Sequence, residues 1–353
     1  MFNFEKWLEA DPYSWPRSEK DPLFAGAMDD LTRYHADHCA SYQKILRALG
    51  HRAASSPSIE AVPFLPARLF KEVDLTSSDP SQIIKTMTSS GTSGQSVSRI
   101  FLDAATSDRQ RQALSRLVAH FIGKKRLPML IIDSQEALAK RDKFSARAAG
   151  VKGFSLFGES LTFALNEDLS LNVERVKAFA DKHHGAATLI FGFTFLVWDS
   201  FVNGLKPLPF SNATLIHGGG WKRLTDKAVS NARFKEQLRE ICGLTRVFNY
   251  YGMIEQSGSI FLECEKGHLH CSNYSDIIVR DSQLRICKKG ERGLVEVLSV
   301  LPLSYPGHAL LTEDEGEILG EDDCPCGRNG RYFTIYGRVA QAEVRGCSDA
   351  IAA

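Results

Sequence analysis

Apolar residues recur at helical spacing in some stretches of the chain and form short unbroken runs in others. Between residues 23 and 49 the spacing is helical, and Gly50 is a suitable helix stop. The same reasoning predicts helices at residues 104–122, 171–183 and 225–242. Short apolar runs predict buried strands at residues 128–133, 187–193, 213–220 and 245–252. Because these helices and strands alternate, we expect α/β layers.

The pattern changes from residue 257 onward. Short strand-like runs such as GSIFLEC, DIIVRD and GLVEVLSV follow one another, separated by turns. This pattern predicts a smaller β-rich subdomain after the α/β part.

Composition narrows the function classes. The 353 residues are 43% hydrophobic and 24% charged, which is typical of a soluble protein of about two domains. Lys plus Arg number 43 and Asp plus Glu 42, so no net charge attracts nucleic acid or an anionic membrane. No apolar run approaches the roughly 20 residues of a membrane span. The first 15 residues, MFNFEKWLEADPYSW, do not resemble a signal peptide, and we predict a cytoplasmic protein.

A turn rich in small residues separates two strand-like runs near residue 90. Its backbone N–H groups and hydroxyls, without bulky side chains, suit a polyphosphate. It is not a Walker loop, because no Gly-Lys-Ser/Thr follows. A flexible surface turn is the alternative. The turn consists of Thr88, Ser89, Ser90, Gly91, Thr92, Ser93 and Gly94.

Two later segments favour the phosphate hypothesis. HGGGWK (217–222) follows a predicted strand, and its three glycines would let a planar ring or a phosphate approach the backbone. In NYYGMIEQSG (249–258), Glu255 lies just beyond a predicted strand end, where a carboxylate could hold Mg²⁺ beside phosphates.

These segments together resemble the adenylate-forming superfamily. SSGTSG is similar to its phosphate loop, NYYGMIE to its Tyr-Gly-x-x-Glu segment, LLTEDEGEI (310–318) to its ribose-binding Thr-x-Asp segment, and YGR (336–338) to the start of its hinge. Within the superfamily, HGGGWK, PFLPARLFK (63–71) and RGCSDA (345–350) resemble the LuxE-type acyl-protein synthetases. The phenylacetate–CoA ligases are the next relatives by this resemblance.

The resemblance implies a fold and a set of roles. The fold would be the N-terminal domain of an adenylate-forming enzyme, with distorted layered sheets and a lid that is absent or minimal. Residues 1–256 would bind ATP and the acyl group, residues 257–335 would form the β-rich subdomain, and residues 336–353 would be a hinge remnant and tail. Residues 88–94 would hold the ATP phosphates and Glu255 would hold Mg²⁺. The remaining nucleotide contacts would come from Gly218, Gly219, Gly220, Tyr251, Gly252, Asp314 and Arg338.

Typical superfamily members continue beyond the hinge with a lid that carries a catalytic lysine. This sequence has only 15 residues after Arg338, so we expect either that a lysine of the main body substitutes or that activation is slow. Lys222, directly after the three glycines, is the candidate, and a solvated surface lysine is the alternative.

Cysteine and histidine residues in the β-rich part predict a closed tetrahedral Zn²⁺ site. Thiolate and imidazole ligands suit structural zinc. His268 and Cys271 are rival ligands, and the alternative is a tight turn with free thiols. The predicted ligands are Cys264 and His270 of ECEKGHLH with Cys324 and Cys326 of CPCGR.

Cys347 lies six residues from the C-terminus, beside Arg345, which would favour its thiolate. The LuxE resemblance implies that a cysteine near the C-terminus carries an acyl thioester. We therefore predict ATP-dependent activation of a carboxylic acid, with fatty acids the expected class, loading on Cys347, and delivery to a reductase or carrier protein. Delivery to coenzyme A or an acyl-carrier protein is the alternative, and a nucleotide-binding subunit without turnover is the non-enzyme alternative.

Overall fold

A computed structural model describes residues 2–51, 58–89, 97–139, 146–205, 207–210, 212–221 and 228–339. The helices in these ranges are α1 (Phe4–Glu9), α2 (Arg17–His38), α3 (Ala40–Ala48), α4 (Ala104–Ile122), α5 (Glu136–Ala139), α6 (Ala146–Ser155), α7 (Val173–Lys182), α8 (Thr194–Leu196, continued by a π-helical turn at Val197–Val202) and α9 (Asn231–Cys242). None of these helices has both the length and the apolar character needed to cross a membrane.

The strands fall mainly after residue 126, as the apolar runs predict. They are β1 (Leu65–Pro66), β2 (Ile83–Thr88), β3 (Arg99–Asp103), β4 (Leu127–Ile132), β5 (Gly158–Phe163), β6 (Thr188–Phe193), β7 (Ala213–Gly218), β8 (Arg246–Tyr251), β9 (Phe261–Leu262), β10 (Leu269–His270), β11 (Ser275–Arg280), β12 (Gly293–Ser299), β13 (Ala309–Glu321) and β14 (Arg331–Arg338).

The predicted helix over residues 23–49 is two helices in the structure. Cys39 has extended backbone angles and separates α2 from α3, so the helical spacing continues across a break that it does not reveal. Gly50, with φ of 68°, follows the end of α3 as expected.

The described residues form two compact units, and one of these units contains segments from both before and after the other in the sequence. One unit contains residues 2–89, 97–120 and 252–339, and the other contains residues 121–251. The three-part division expected along the sequence, with boundaries at 256 and 335, is therefore a different division from that of the compact units.

The unit of residues 121–251 is built on a parallel sheet with strand order β5-β4-β6-β7-β8. Every residue of β6 and β7 is buried, which agrees with their unbroken apolar sequence. Phe193, Gly218 and Tyr250 are aligned across neighbouring strands near their carboxyl ends. In open parallel sheets, ligands bind at this edge.

The other unit contains an antiparallel sheet with strand order β10-β14-β13-β12-β11, and β1 pairs in parallel with β13. The pairing of β12 with β13 changes register between Leu294 and Glu296. The strands β2 and β3 form a separate antiparallel ribbon in the same unit. The predicted α/β architecture is confirmed, and the strands β9 to β14 follow residue 257.

A buried ion cluster fixes α2 to β11. Lys20 Nζ lies 3.1 Å from a carboxylate oxygen of Asp276, and Arg17 forms an ion pair with the same carboxylate. Burial by itself raises the pKa of Asp276, but Lys20, Arg17 and Arg331 together hold that pKa well below its usual range. A buried carboxylate is tolerated here because its charge is compensated.

Candidate functional site

Glu255 lies in a 3-10 turn (Ile254–Gln256) that begins three residues after β8 ends. Its side chain is 8% exposed. Burial raises the pKa of Glu255, whereas the hydroxyl of Ser98 and the charge of Arg338 lower it, and the charge of Asp314 raises it further. A bound cation would favour the ionised carboxylate that burial disfavours.

The backbone at Glu255 is fixed by a neighbouring loop. The buried hydroxyl of Tyr305 donates a hydrogen bond to the Glu255 carbonyl at 2.9 Å. At Gly307, an added Cβ would lie 2.2 Å from the Tyr305 ring and 3.0 Å from the Glu255 carbonyl oxygen. Glycine is therefore required at position 307 to leave room for the tyrosine that supports Glu255.

Asp314 and Arg338 are cross-strand partners on β13 and β14. Arg338 Nε lies 3.6 Å from Asp314 Oδ1, and their side chains are 38% and 19% exposed, respectively. Both charges act on the pKa of Glu255. The fold thus brings together three residues that are separated by up to 83 positions (338 minus 255). We call Glu255, Asp314 and Arg338 the carboxylate cluster.

The predicted phosphate loop joins the ends of β2 and β3. The backbone N–H of Ser89 donates to the Ser98 carbonyl at 3.1 Å, and the Ser98 N–H donates to the Ser89 hydroxyl at 2.8 Å. These two bonds close the base of the loop after Thr88. Ser90, Gly91, Thr92, Ser93 and Gly94 lie outside the described residues. Sequence analysis did not identify Ser98, because a single serine after the motif has no distinguishing pattern.

The two glycines that follow Gly218, the last residue of β7, have left-handed backbone angles, with φ of 86° at Gly219 and 64° at Gly220. An added Cβ at Gly218 would lie 2.7 Å from both the ring and the carbonyl oxygen of Tyr250. Tyr250 therefore packs against this turn. Tyr251 and Gly252 are partly buried at the end of β8.

Two buried residues that the sequence analysis did not select support the same turn. The Thr194 hydroxyl donates to the Gly218 carbonyl at 3.1 Å and lies 3.0 Å from His217 Nδ1. Since the hydroxyl has one proton to donate, His217 must provide the proton of the second bond from Nδ1. Burial lowers the pKa of His217 to about 3, so the ring is neutral at pH 7.

The predicted zinc ligands lie together between β9 and β14. One ligand atom from each of Cys264, His270, Cys324 and Cys326 can be chosen so that all four lie within 4.8 Å of one another. The Cys264 and Cys324 sulfurs are 4.0 Å apart, and the Cys326 sulfur is 3.3 Å from His270 Nε2. We call these four residues the cysteine cluster.

The two rival ligands occupy different positions. His268 Nδ1 lies 3.3 Å from the Cys324 sulfur, at the rim of the cysteine cluster. Burial raises the pKa of Cys271, near Asp276 and Lys20 of the ion cluster. Burial also raises the pKa of Cys324, to about 12, so the thiol is neutral unless a metal ion binds. Three thiols and one imidazole at these distances fit a tetrahedral Zn²⁺ ion.

Two predicted catalytic residues, Lys222 and Cys347, lie outside the described residues. Cys39, Cys242 and Cys287, which the sequence analysis did not assign to a site, are buried.

The geometry of the candidate site agrees with the protein family that the chain matches. The family model for LuxE acyl-protein synthetases matches residues 4–353. The chain belongs to the LuxE acyl-protein synthetase family. A long-chain-fatty-acid–luciferin-component ligase from Vibrio harveyi is 23% identical, and the match covers 96% of this chain and 89% of that protein.

Solved structures show the fold of this LuxE-family chain. An open conformation of 2-hydroxyisobutyryl-CoA ligase, in complex with 2-HIB-AMP and CoA, matches with a TM-score of 0.71 at 18% identity, over 94% of this chain and 77% of that one. The postadenylation state of the ligase with R3-HIB-AMP matches with a TM-score of 0.69 at 18% identity, over 93% and 69%. The predicted adenylate-forming fold is confirmed.

Proposed function

We propose that this protein uses ATP and Mg²⁺ to activate a carboxylic acid as an acyl adenylate. The observation that carries the proposal is the carboxylate cluster, in which a buried carboxylate, a half-buried carboxylate and an arginine converge beside the base of the predicted phosphate loop in one compact unit. The family and the fold support acid activation. We further propose a fatty acid as the substrate class, because the Vibrio harveyi relative is named for long-chain fatty acids.

The reaction requires positioning and charge compensation. An oxygen of the acid would attack the α-phosphorus of ATP, forming the acyl–phosphate bond while the bond to pyrophosphate breaks. Residues 88–94 would hold the phosphates, Asp314 would accept hydrogen bonds from the ribose hydroxyls, and Arg338 would contact ribose or phosphate. Mg²⁺ held by Glu255 would neutralise phosphate charge when bound. Gly218–Gly220 and Tyr251–Gly252 would face the adenine and acyl groups, and Lys222 would replace the lysine of a lid.

We propose that the acyl group then moves to Cys347. The thiolate would attack the carbonyl carbon of the acyl adenylate, a thioester would form, and AMP would leave. A partner protein, either a reductase or a carrier, would accept the acyl group. The cytoplasm is the expected compartment, because it supplies ATP and keeps thiols reduced.

The cysteine cluster fits a second, structural role. Four buried or half-buried donors would occupy all positions around a tetrahedral Zn²⁺ ion, which leaves no position for substrate. We therefore propose that the zinc ion stabilises the fold and does not take part in the chemistry.

Pyrophosphate exchange against a panel of carboxylic acids tests activation. Label should enter ATP only when Mg²⁺ and a suitable acid are both present. Gly91→Val should abolish exchange by filling the phosphate loop. The matched control is Gly26→Val, because an added Cβ at Gly26 meets no atom within 4 Å. Normal exchange in folded Gly91→Val protein would rule out the phosphate-loop role.

Intact mass after incubation with ATP and the best acid tests transfer. A mass increase that hydroxylamine removes, and that Cys347→Ser loses while Cys287→Ser keeps it, would support the thioester. If exchange occurs but no thioester forms on the protein, coenzyme A and acyl-carrier protein become the acceptors to test.

A further inference from the structure

The strand β12 connects two residues of the carboxylate cluster through its carbonyl groups. The hydroxyl of Thr312 donates to the Val295 carbonyl at 2.7 Å, and the Asp314 N–H donates to the same hydroxyl at 3.1 Å. These bonds lie where the pairing of β12 with β13 changes register. Thr312, which is 4% exposed, therefore joins the backbone of Asp314 to β12 at an irregular point of the sheet.

A second side chain reaches β12 two residues further along. Gln256, the neighbour of Glu255, donates from its amide nitrogen to the Val297 carbonyl at 3.1 Å and to the Gly307 carbonyl at 2.9 Å. Its side chain is almost completely buried. Since carbonyl oxygens can only accept, their positions determine which end of the amide faces them.

Val295 and Val297 are two residues apart on one strand, so their carbonyls point to the same side and are separated by about 6 to 7 Å. We propose that Gln256 and Thr312 are positioning residues that use these two carbonyls to fix Glu255 and Asp314 at a set separation. This inference rests on the proposed function, in which Glu255 holds the cation and Asp314 holds the ribose.

The two carboxylates need such a support. The charge of Asp314 raises the pKa of Glu255, so the two carboxylates repel each other when both are ionised, and Arg338 Nε lies 3.6 Å from Asp314 Oδ1. Without fixed backbones, repulsion between the carboxylates would move them apart when no cation is bound. Anchoring both to one strand would hold the cation site and the ribose site in the arrangement that one Mg²⁺–ATP requires.

The test at Thr312 measures selectivity for the ribose. Thr312→Val keeps the shape of the side chain but removes the hydroxyl, so Asp314 should shift and the preference for ATP over 2′-deoxy-ATP should fall about 3- to 10-fold in equilibrium binding. Thr312→Ser should restore the preference. Thr188→Val, at a buried strand threonine in the other compact unit, is the matched control and should keep the parent preference. A parent-like preference in Thr312→Val would overturn the proposal.

The test at Gln256 measures the requirement for Mg²⁺. Gln256→Met has a similar shape but cannot donate, and it should raise the Mg²⁺ concentration for half-maximal pyrophosphate exchange about tenfold, with a smaller change in KM for the acid. Thermal unfolding is measured alongside. If Thr312→Val does not fold, Gln256→Met decides alone, and an unchanged Mg²⁺ requirement would overturn the proposal.

The double variant tests whether the two residues act through one strand. Shared support predicts that the losses of ATP affinity in Gln256→Met and Thr312→Val are not additive, whereas additive losses would show two independent contacts and would contradict the shared role. The proposed function can fail separately. If none of the acids in the panel supports pyrophosphate exchange by the parent protein, the proposed acid activation is wrong. The relative binding of ATP and 2′-deoxy-ATP would still test the positioning role.

Discussion

The carboxylate cluster and the cysteine cluster lie in the same compact unit but differ in their exposure to solvent. Asp314 and Arg338 remain partly exposed, and the proposed cation and nucleotide would complete the interactions of their cluster. In the cysteine cluster, Cys264 and His270 are completely buried, and the side chains of the cluster supply four donors themselves. Under the proposed function, the first arrangement would leave space for a ligand that arrives and leaves, and the second would enclose an ion that stays.

The difference shows how one unit can separate stability from function. A closed metal site contributes its binding free energy to folding. An open site that holds two neighbouring carboxylates contributes little to stability or opposes it, because its groups are arranged for a ligand. Substitutions in the cysteine cluster should therefore change stability first, and substitutions in the carboxylate cluster should change activity first.

The largest effect is expected in the cysteine cluster. Cys324→Ser should lose the metal and much of the stability together, because structural zinc contributes roughly 10 kcal/mol or more in small peptide sites. Elemental analysis should find about one Zn²⁺ per chain in the parent and much less in the variant, and thermal unfolding should occur at a lower temperature. Cys287→Ser, outside the cluster, is the matched control. Parent protein that is free of metal and still stable would contradict the structural role of zinc.

A smaller effect on stability is expected from the buried His308 when the pH falls. Burial lowers the pKa of His308 to about 3 from 6.5, and its Nε2 lies 3.0 Å from the Thr32 hydroxyl. Above pH 6.5 the ring is neutral in both the folded and the unfolded protein. Below that pH the unfolded chain binds the proton more tightly, so stability should be lost progressively as the pH falls from 6.5 towards 3.

The full contribution of His308 is on the order of 5 kcal/mol, since each pKa unit corresponds to about 1.4 kcal/mol. His308→Gln should therefore flatten the acid side of the stability curve measured by urea unfolding. The exposed His184, replaced by Gln, is the control and should leave the curve unchanged. If stability falls with decreasing pH as steeply in His308→Gln as in the parent, groups other than His308 cause the loss.

The smallest change in the free energy of unfolding is expected for Glu255→Gln in the carboxylate cluster. The amide keeps the shape but lacks the charge that would hold Mg²⁺, so pyrophosphate exchange should fall about 10²- to 10³-fold. The unfolding temperature should stay close to that of the parent, because burial already disfavours the charged carboxylate. Glu313→Gln, next to Asp314 in sequence, is the control. A fall in stability as large as that of Cys324→Ser would remove the contrast between the two clusters.

Local sequence determined the elements with strong periodicity or strong motifs. The apolar runs at residues 187–193 and 213–220 predicted β6 and β7, because a strand buried on both faces needs an unbroken run of apolar side chains. The spacing in residues 104–122 predicted α4 for the same kind of local reason. The motif resemblance selected Glu255, Asp314 and Arg338, and the pairing of Cys264 and His270 with Cys324 and Cys326 agrees with the geometry.

The tertiary structure decided the features that depend on contacts between residues far apart in the sequence. The grouping of residues before 121 with residues after 251 depends on contacts between distant segments. The same holds for the packing of Tyr250 against Gly218, and for the bonds of Gln256 and Thr312 to the carbonyls of β12. Each of these residues is unremarkable in its own neighbourhood, and its role comes from a partner that chain topology places beside it. Sequence periodicity reports which face of an element is buried, whereas hydrogen bonds between elements depend on register and crossing, which only the folded chain defines.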